Sequence, residues 1–414
     1  MWYTYTDSGG WELTNKITIR GQIGAVMSAD PGFNPTTGRV DAALTMAQSI
    51  VNRPMPEADH DLLPFANGVL HVPTGELRPH APYPFTLGRR PYDYDPDAKC
   101  PRWIKFLHEV LEDDPQRIAQ LQEALGYLLS GDTSRHKIFI FIGPPRCGKG
   151  TTCRVIIDLV GPRHCTGGTL TSLPKDATLH SLVDKSVMVI GDAENKIHPS
   201  HRDGVVATLK SLSGGDAISF DRKFKSKATA ILPTRLFIAS NTVPAIFDDS
   251  GALGNRMVLI HTDFSALGNE DRGLEAALRE EMPGIANWAL AGSARLEQLD
   301  QVTTPDATTE ALEEIMEGFS PMLTFVRECC DFAPAARTTT SDLHKRWDAW
   351  RVAEEGQAKG LSRSAFSRSL KAALQGTPAR VKKMRIEGES VRGVEGLRLK
   401  PVEGAAVQNV LPIA

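Results

Sequence analysis

The chain has few cysteines, and they show no spacing typical of a metal site or a disulfide framework. Its six cysteines include no Cys-x-x-Cys pair, so we expect no zinc site and a reducing compartment. No apolar run approaches the ~20 residues that a membrane-spanning helix needs, and the first residues lack the pattern of a signal peptide. We therefore expect a cytoplasmic protein with no membrane partner.

The chain also lacks a charge imbalance that would indicate a partner. Lysine and arginine total 47, aspartate and glutamate total 50, and the formal net charge is -3. The hydrophobic share of 41% is ordinary for a folded protein. A length of 414 residues suggests two or three domains. Function must therefore be inferred from motifs rather than from composition.

One stretch, residues 138–151 (IFIFIGPPRCGKGT), has the spacing of a phosphate-binding loop. The apolar run predicts a buried strand, and Gly148-Lys149 follows Gly143 after four residues. Glycines let backbone N–H groups surround phosphate oxygens, and the next helix directs its positive end at the same anion. A plain glycine turn between strand and helix is the alternative. We assign ATP binding to Gly143, Pro144, Pro145, Arg146, Cys147, Gly148, Lys149, Gly150 and Thr151.

The loop departs from the usual pattern at one position. Gly150 stands where a serine or threonine hydroxyl usually contacts magnesium. Either Thr151 takes this role, or the metal keeps an additional water. A second apolar strand, from Ser186, ends close to Asp192 and Glu194. We assign the magnesium to Asp192 and the attacking water to Glu194, against the alternative of a surface acidic cluster.

Several segments before the loop carry a resemblance to a known family. They are residues 67–70 (NGVL), 94–96 (YDP), 100–103 (CPRW) and 126–132 (GYLLSGD). They resemble the helical domain that precedes the ATPase in phage and plasmid primase-helicases, which belong to the superfamily 3 helicases with poxvirus relatives. The resemblance covers most of the chain. It implies an AAA+ core, ATP and Mg²⁺ as cofactors, and a homo-oligomer, expected to be a hexamer, around single-stranded DNA. It leaves open whether a primase domain or protein belongs with the chain.

The same resemblance implies roles for two residues beyond the loop. Asn241 ends the apolar segment 235–241 and matches the family's sensor, whose amide contacts the γ-phosphate or its attacking water. Capping of the following turn is the alternative for this asparagine. Arg256 matches the arginine finger, which acts on the ATP of a neighbouring subunit. Parallel strands would bring Gly143, Asp192 and Asn241 to one sheet edge.

The resemblance also implies that the segment 218–227 (ISFDRKFKSK) forms a basic hairpin in the pore of the ring. Its cations would follow a DNA backbone while Phe220 and Phe224 stack on bases. A solvated hairpin tip is the alternative. The cations assigned to single-stranded DNA are Arg222, Lys223, Lys225 and Lys227.

The C-terminal part predicts two helices, at 341–350 and 362–374, followed by a hairpin at 379–399. This order suggests a winged helix, with which the family often ends, and a basic surface for duplex DNA. A protein-interaction module is the alternative. The residues assigned to DNA are Arg363, Arg368, Lys371, Lys382, Lys383 and Arg385, and Arg380, Arg392 and Arg398 add to the basic surface.

We thus expect an α/β protein with an AAA+ P-loop core between two smaller domains. The expected divisions are an N-terminal domain of strand hairpins and helices (1–135, with helices at 103–111 and 116–129), the ATPase (136–300), a linker (301–317), the winged helix (318–400) and a disordered tail (401–414). The expected function is an ATP-dependent DNA helicase in the replication of a phage, plasmid or other mobile element.

Two other functions stay open at this point. The first is an origin-binding or loading protein that uses ATP only to assemble on DNA. The second is a nucleoside monophosphate kinase, because GPPRCGKGT also resembles the phosphate loop of the adenylate-type enzymes. In those kinases the loop lies near the N-terminus of a small chain and an Asp-Gly-Phe-Pro-Arg-like segment follows it. Neither feature is present here.

Overall fold

The computed structural model describes residues 2–6, 9–51, 59–83, 86, 88–193, 197–222, 225–244, 246, 253–269, 271–305, 321–355, 362–374, 377–386 and 389–401. The chain divides into two compact units. The first comprises residues 1–244 and 257–308, and the second comprises residues 245–256 and 309–414. None of the described helices combines the length and the apolar character needed to cross a lipid bilayer.

The first unit opens with small antiparallel sheets and helices. Its elements are β1 (Trp2–Tyr5), β2 (Trp11–Thr14), α1 (Lys16–Ser28), α2 (Thr37–Val51), β3 (Leu62–Phe65), β4 (Gly68–His71), β5 (Glu76–Arg78), α3 (Pro101–Val110) and α4 (Pro115–Ser130). Strand hairpins and two helices were expected in this part, and the β1–β2 and β4–β5 pairs and the helices α3 and α4 are present. Proline at the first turn suits α3 and α4, and the Asp114 side chain caps α4.

A five-stranded parallel sheet forms the centre of this unit. Its region contains β6 (Ile138–Ile142), α5 (Lys149–Val160), β7 (Cys165–Gly167), α6 (Asp176–Ser181), β8 (Val187–Ile190), α7 (Pro199–Gly214), β9 (Ala217–Arg222), β10 (Lys225–Ile231), β11 (Arg235–Ser240), β12 (Met257–His261), α8 (Leu274–Glu280) and α9 (Met282–Leu299). The strand order is β12-β6-β11-β8-β7, and every neighbouring pair is parallel. The expected α/β core is therefore present, and β9 and β10 form a separate antiparallel hairpin.

The central strands of the sheet are apolar and are covered by helices. All residues of β6, β8 and β11 are buried, as expected for parallel strands with both faces covered. One continuous core joins these strands to α3, α4, α5 and α9. A buried carboxylate also joins α4 to α9: Glu123 accepts from Arg295 Nε at 2.7 Å and from the backbone N–H of Thr303 at 2.7 Å.

The second unit contains helices packed on a three-stranded sheet. Its elements are α10 (Pro321–Cys329), β13 (Cys330–Thr339), α11 (Thr340–Glu355), α12 (Arg363–Ala373), β14 (Arg380–Ile386) and β15 (Glu389–Leu399). The antiparallel strand order is β13-β15-β14. Phe325, Trp347 and Phe366 lie at its core. The two expected helices and the hairpin are present, while α10 and β13 are additional. The expected linker is described only to residue 305, and residues 402–414 lie outside the described residues.

Candidate functional site

The loop between β6 and α5 contains two residues in the left-handed region of backbone conformation. Arg146 and Gly148 both have positive φ, 63° and 89°, and such turns create concave anion sites at the start of a helix. Position 148 also admits no side chain, because a Cβ there would lie 2.8 Å from Phe106 Cζ. α3, which carries Phe106, therefore packs directly behind the loop.

The side chain of Lys149 lies inside this loop. Its ammonium group donates to the carbonyl oxygens of Gly143 at 2.6 Å and Pro144 at 2.8 Å, and lies 3.3 Å from the sulfur of Cys147. These neutral acceptors hold the cation in place without cancelling its charge. The ammonium is therefore positioned to exchange carbonyl partners for the oxygens of a phosphate chain.

The ends of β8 and β11 place two predicted residues beside the loop. The N–H of Ala193 donates to the carbonyl of Ala239 at 2.9 Å, and the hydroxyl of Ser240 donates to the carbonyl of Ala193 at 3.4 Å. These bonds tie the two strand ends together. Asp192 and Asn241 flank this junction and are both exposed. Asp192 and Asn241 therefore lie at the carboxyl ends of two neighbouring parallel strands.

A single cavity of about 510 Å³ joins these groups. Lys149, Asp192 and Asn241 all line it, together with loop residues 145–151. Its size lies within the range of small-molecule sites in proteins. Several lining residues were not singled out from the sequence: Arg102, Phe106, Glu109, Arg154, Asn269, Asp271, Arg272 and Glu275. Of these residues, only Arg154 could have been inferred from local spacing, because it lies one helical turn after Gly150 and so on the same helix face.

The segment after β12 supports the loop from outside. The hydroxyl of Ser265 donates to the carbonyl of Pro145 at 2.8 Å, and the N–H of Ala266 donates to that of Arg146 at 3.1 Å. Further along, Glu281 accepts from the backbone N–H groups of Arg102 and Trp103, both at 2.9 Å, and so caps α3. These contacts hold one wall of the cavity in place. The sequence did not predict this wall.

The residues present fit a magnesium-bound nucleotide. Within the described residues no cluster of three or more His, Cys, Asp or Glu side chains could hold a metal alone. Magnesium in nucleotide sites needs only one or two carboxylates, because phosphates and waters complete its shell. Asp192, at the end of β8, is one of the carboxylates that line the cavity. Thr151 Oγ1 lies 3.4 Å from Arg154 Nη2, from which it accepts.

Other predicted residues lie elsewhere or are not described. Glu194 lies outside the described residues, as do Lys223 and Phe224. Arg256 ends the short helical turn Gly254–Arg256 in the second unit, directly before β12.

The β9–β10 hairpin is present, but one expected base contact is wrong. Phe220 is only 2% exposed, and its ring packs 6.1 Å from that of His180. Alternation along β9 turns this ring inward, so it cannot stack on a base. Lys227 is exposed and pairs with Asp221 at 3.6 Å. Arg222 and Lys225 lie in the paired strands, and their side chains are outside the description.

The second unit presents basic side chains on α12 and on the β14–β15 hairpin. Arg363, Arg368 and Lys371 are exposed along α12. In the hairpin, Lys383 lies directly opposite Arg392, an arrangement of like charges that destabilises a strand pair. Of the other basic residues, Lys382 pairs with Glu395 and Arg398 with Asp331. Exposed Arg385 forms no ion pair with the described residues.

Two family models match parts of the chain. Residues 2–112 match a family described as D5 N terminal like. Residues 141–256, which include the loop and the ends of β8 and β11, match a family of unknown function, DUF5906.

Solved structures also resemble the chain. An A-form apo structure of the NrS-1 C-terminal region has a TM-score of 0.43 at 12% identity, covering 86% of this chain and 90% of that one. A second apo structure, of NrS-1 C-terminal residues 305–718, has a TM-score of 0.44 at 14% identity. The match covers 73% of this chain and 77% of that one. Likeness at this level does not establish an activity.

Proposed function

We propose that the chain is an ATP-dependent DNA helicase of superfamily 3 that acts in the replication of a phage, plasmid or other mobile element. The observation that carries the proposal is the cavity in which Lys149, Asp192 and Asn241 meet at the carboxyl edge of one parallel sheet. The match of residues 2–112 to the D5 N-terminal-like family supports the replication context. The core would then be an AAA+ ATPase.

Each group in the cavity suits one task in ATP hydrolysis. Lys149 binds the β- and γ-phosphates in place of the two carbonyls it now contacts, while the loop N–H groups hold the phosphate chain. Asp192 holds Mg²⁺, either with Thr151 or with an additional water. When bound, Mg²⁺ neutralises charge on the phosphates. Asn241 orients the attacking water through its amide.

Two assignments of the proposal depend on residues that are not among the described residues lining this cavity. Glu194 would polarise the water, and Arg256 would reach the ATP of a neighbouring copy. The second role requires a ring, which we propose to be a hexamer with single-stranded DNA in its pore. The β9–β10 hairpin supports this proposed contact with DNA in the pore. Among its described side chains, Lys227 is an exposed cation.

The second unit is proposed to bind duplex DNA as a winged helix. Its order of helix, strand, two helices and two strands supports this assignment. Lys383 faces Arg392 across the hairpin with no ion pair to a described residue. A phosphate backbone would remove the repulsion between these two cations. α12, with Arg363, Arg368 and Lys371 exposed, would approach the same duplex.

Steady-state ATP hydrolysis with and without single-stranded DNA tests the motor. We expect stimulation by DNA, and a loss on the order of 10²-fold or more in Lys149→Ala. Lys175→Ala, an exposed lysine at the start of α6, should retain activity. The arginine-finger role predicts a similar loss in Arg256→Ala, with activity restored when Arg256→Ala and Lys149→Ala chains are mixed. Failure of mixing to restore activity would remove the shared site from the proposal.

The same assay separates the two other functions. Phosphate transfer to AMP without dependence on DNA would overturn the helicase and favour the kinase. ATP binding without turnover under any condition would favour the loading protein. Unwinding of a forked duplex by the wild-type chain, and not by Lys149→Ala, is the result the helicase requires.

A further inference from the structure

Arg235, the first residue of β11, is a buried arginine whose guanidinium has no partner among the described residues. Only 5% of the residue is exposed. Its Nε is buried with no hydrogen-bond partner, and the guanidinium makes no hydrogen bond or ion pair with the described residues. Buried polar groups in proteins are nearly always paired, because an unpaired buried charge is strongly destabilising. An isolated cation here therefore needs an explanation.

A second buried arginine lies at the same place. Arg90 is also 5% exposed, and its Nε is likewise buried and unpaired. Its two terminal nitrogens donate to the carbonyls of Gly88 at 2.9 Å and Leu129 at 2.7 Å. Arg90 is thus held by neutral acceptors, which leave its charge uncancelled. Burial and the neighbouring charge of Arg90 lower the pKa of Arg235 to about 10, so both groups stay protonated at neutral pH.

Both arginines line a cavity of about 80 Å³. A cavity of this size has room for several waters or one small ion. Lys185 and His60 also line it, as do the carboxylates Asp184 and Asp59.

The nearby acids are engaged elsewhere. Asp184 pairs with Lys185 at 3.2 Å, and Asp59 accepts from the backbone N–H of Asp61 at 3.0 Å. Asp132, whose charge acts on Arg235, accepts from the N–H and hydroxyl of Ser134, both at 2.7 Å. Neither guanidinium at this cavity thus forms an ion pair with a described carboxylate.

We propose that this cavity binds a tetrahedral oxyanion of phosphate size, with Arg235 as its main donor and Arg90 as a supporting charge. A guanidinium presents N–H groups in a planar fork that matches phosphate oxygens. The site is separate from the phosphate loop. β11 begins at Arg235 and ends at Ser240, beside Asn241, so the two sites lie at opposite edges of the sheet, roughly 20 Å apart.

The ligand chemistry has two sources: free phosphate, or the terminal phosphate of a nucleic-acid strand. The cavity is lined in part by Pro233, in the short connection between β10 and β11. It therefore lies at the base of the β9–β10 hairpin. A strand that follows this hairpin would bring an end phosphate to the site, whereas a free ion would need only the cavity.

Thermal unfolding of the full chain under a phosphate titration tests the site. Ionic strength is held constant with chloride, and all variants carry Lys149→Ala so that the phosphate loop does not contribute. We expect the melting temperature to rise with phosphate, and the rise to be lost, with at least tenfold weaker binding, when Arg235→Met is added. Without phosphate, Arg235→Met should melt at the same or a higher temperature, because an unpaired buried charge is removed.

The control variant is Arg279→Met, which removes an exposed arginine that pairs with Asp158 and should keep the response to phosphate. A phosphate-dependent rise that persists unchanged in Arg235→Met would overturn the proposal. Because every variant lacks Lys149, this outcome is independent of whether the phosphate loop binds ATP.

A direct measurement covers the case in which Arg235→Met does not fold. Equilibrium dialysis of the Lys149→Ala chain with labelled phosphate should give one bound ion per chain, and at least tenfold weaker binding after Arg235→Lys. No binding at millimolar phosphate would overturn the proposal. Oligothymidine with a phosphate or a hydroxyl at its 5′ end then identifies the source. An Arg235-dependent difference between the two supports the terminal phosphate, and equal behaviour supports the free ion.

Discussion

Arg154 Nη1 lies 3.3 Å from the point where a Cβ on Gly150 would stand. Its guanidinium pairs with Glu275 through Nε at 2.7 Å and donates to Thr151 at 3.4 Å. A cation from the next helical turn thus lies beside the place where a phosphate loop usually carries a hydroxyl side chain. The absence of a side chain at position 150 leaves room for that cation at the edge of the nucleotide cavity.

Gly150→Ser tests this relationship. The new side chain would displace a flexible, half-exposed guanidinium, so we expect unfolding free energy to change by less than about 1 kcal/mol. The new hydroxyl would contact Mg²⁺, and the concentration of Mg²⁺ for half-maximal ATP hydrolysis should fall. Gly150→Ala adds the same Cβ without the hydroxyl and should not show this fall. Identical behaviour of the two variants would contradict the role of the hydroxyl.

Gly148→Ala should disable the phosphate loop. A non-glycine residue at φ 89° is strained, and its Cβ would lie 2.8 Å from Phe106 and 2.9 Å from Val110. Urea denaturation should show a loss of about 3 kcal/mol in unfolding free energy. A nucleotide titration should show at least a tenfold loss in ATP affinity. Gly150→Ala is the matched control, because its φ is not positive. Wild-type affinity in Gly148→Ala would show that this loop does not hold the nucleotide.

Glu281→Ala should destabilise the wall of the cavity. Its carboxylate accepts from the first N–H groups of α3, Arg102 and Trp103, and Cys100 provides no side-chain cap. We expect a loss of about 2 kcal/mol in urea denaturation. The exposed neighbour Glu280 is the control, and Glu280→Ala should stay within about 0.5 kcal/mol of the wild type. Equal effects would mean that the cap contributes nothing.

His164 predicts a pH dependence of stability. Burial, with the charges of Arg90 and Lys185, lowers the pKa of this histidine to about 4. Between about pH 6.5 and 4 the unfolded chain binds the proton more readily, so stability should fall as pH falls through this window, by at most about 3 kcal/mol. Melting temperatures of His164→Gln should depend less on pH over this range. His201→Gln, in the exposed part of α7, should follow the wild type.

Local patterns in the sequence predicted the elements that carry the site. The glycine spacing predicted the loop before Lys149, and apolar runs predicted β6, β8 and β11 with polar residues at their ends. Apolar spacing of three and four predicted α3 and α4. The helices α1 and α2 were not predicted individually, and their weak amphipathic pattern fits the few residues they bury, of which Leu44 is one. Phe220 was placed at a DNA surface, because sequence alone does not reveal which face of β9 is covered.

The sequence by itself determined the phosphate loop, the type of the main elements and the candidate residues Lys149, Asp192 and Asn241, because these depend on neighbours within one turn or strand. Only the tertiary structure decided what surrounds them. Glu281 accepts from the backbone N–H of Trp103, 178 positions earlier in the chain. Arg90 and Arg235 come from distant segments of the first unit and line the same cavity. Such contacts arise from the packing of distant segments, which no local spacing records. The tertiary structure alone therefore reveals the cavity wall and the burial of Arg235 beside Arg90.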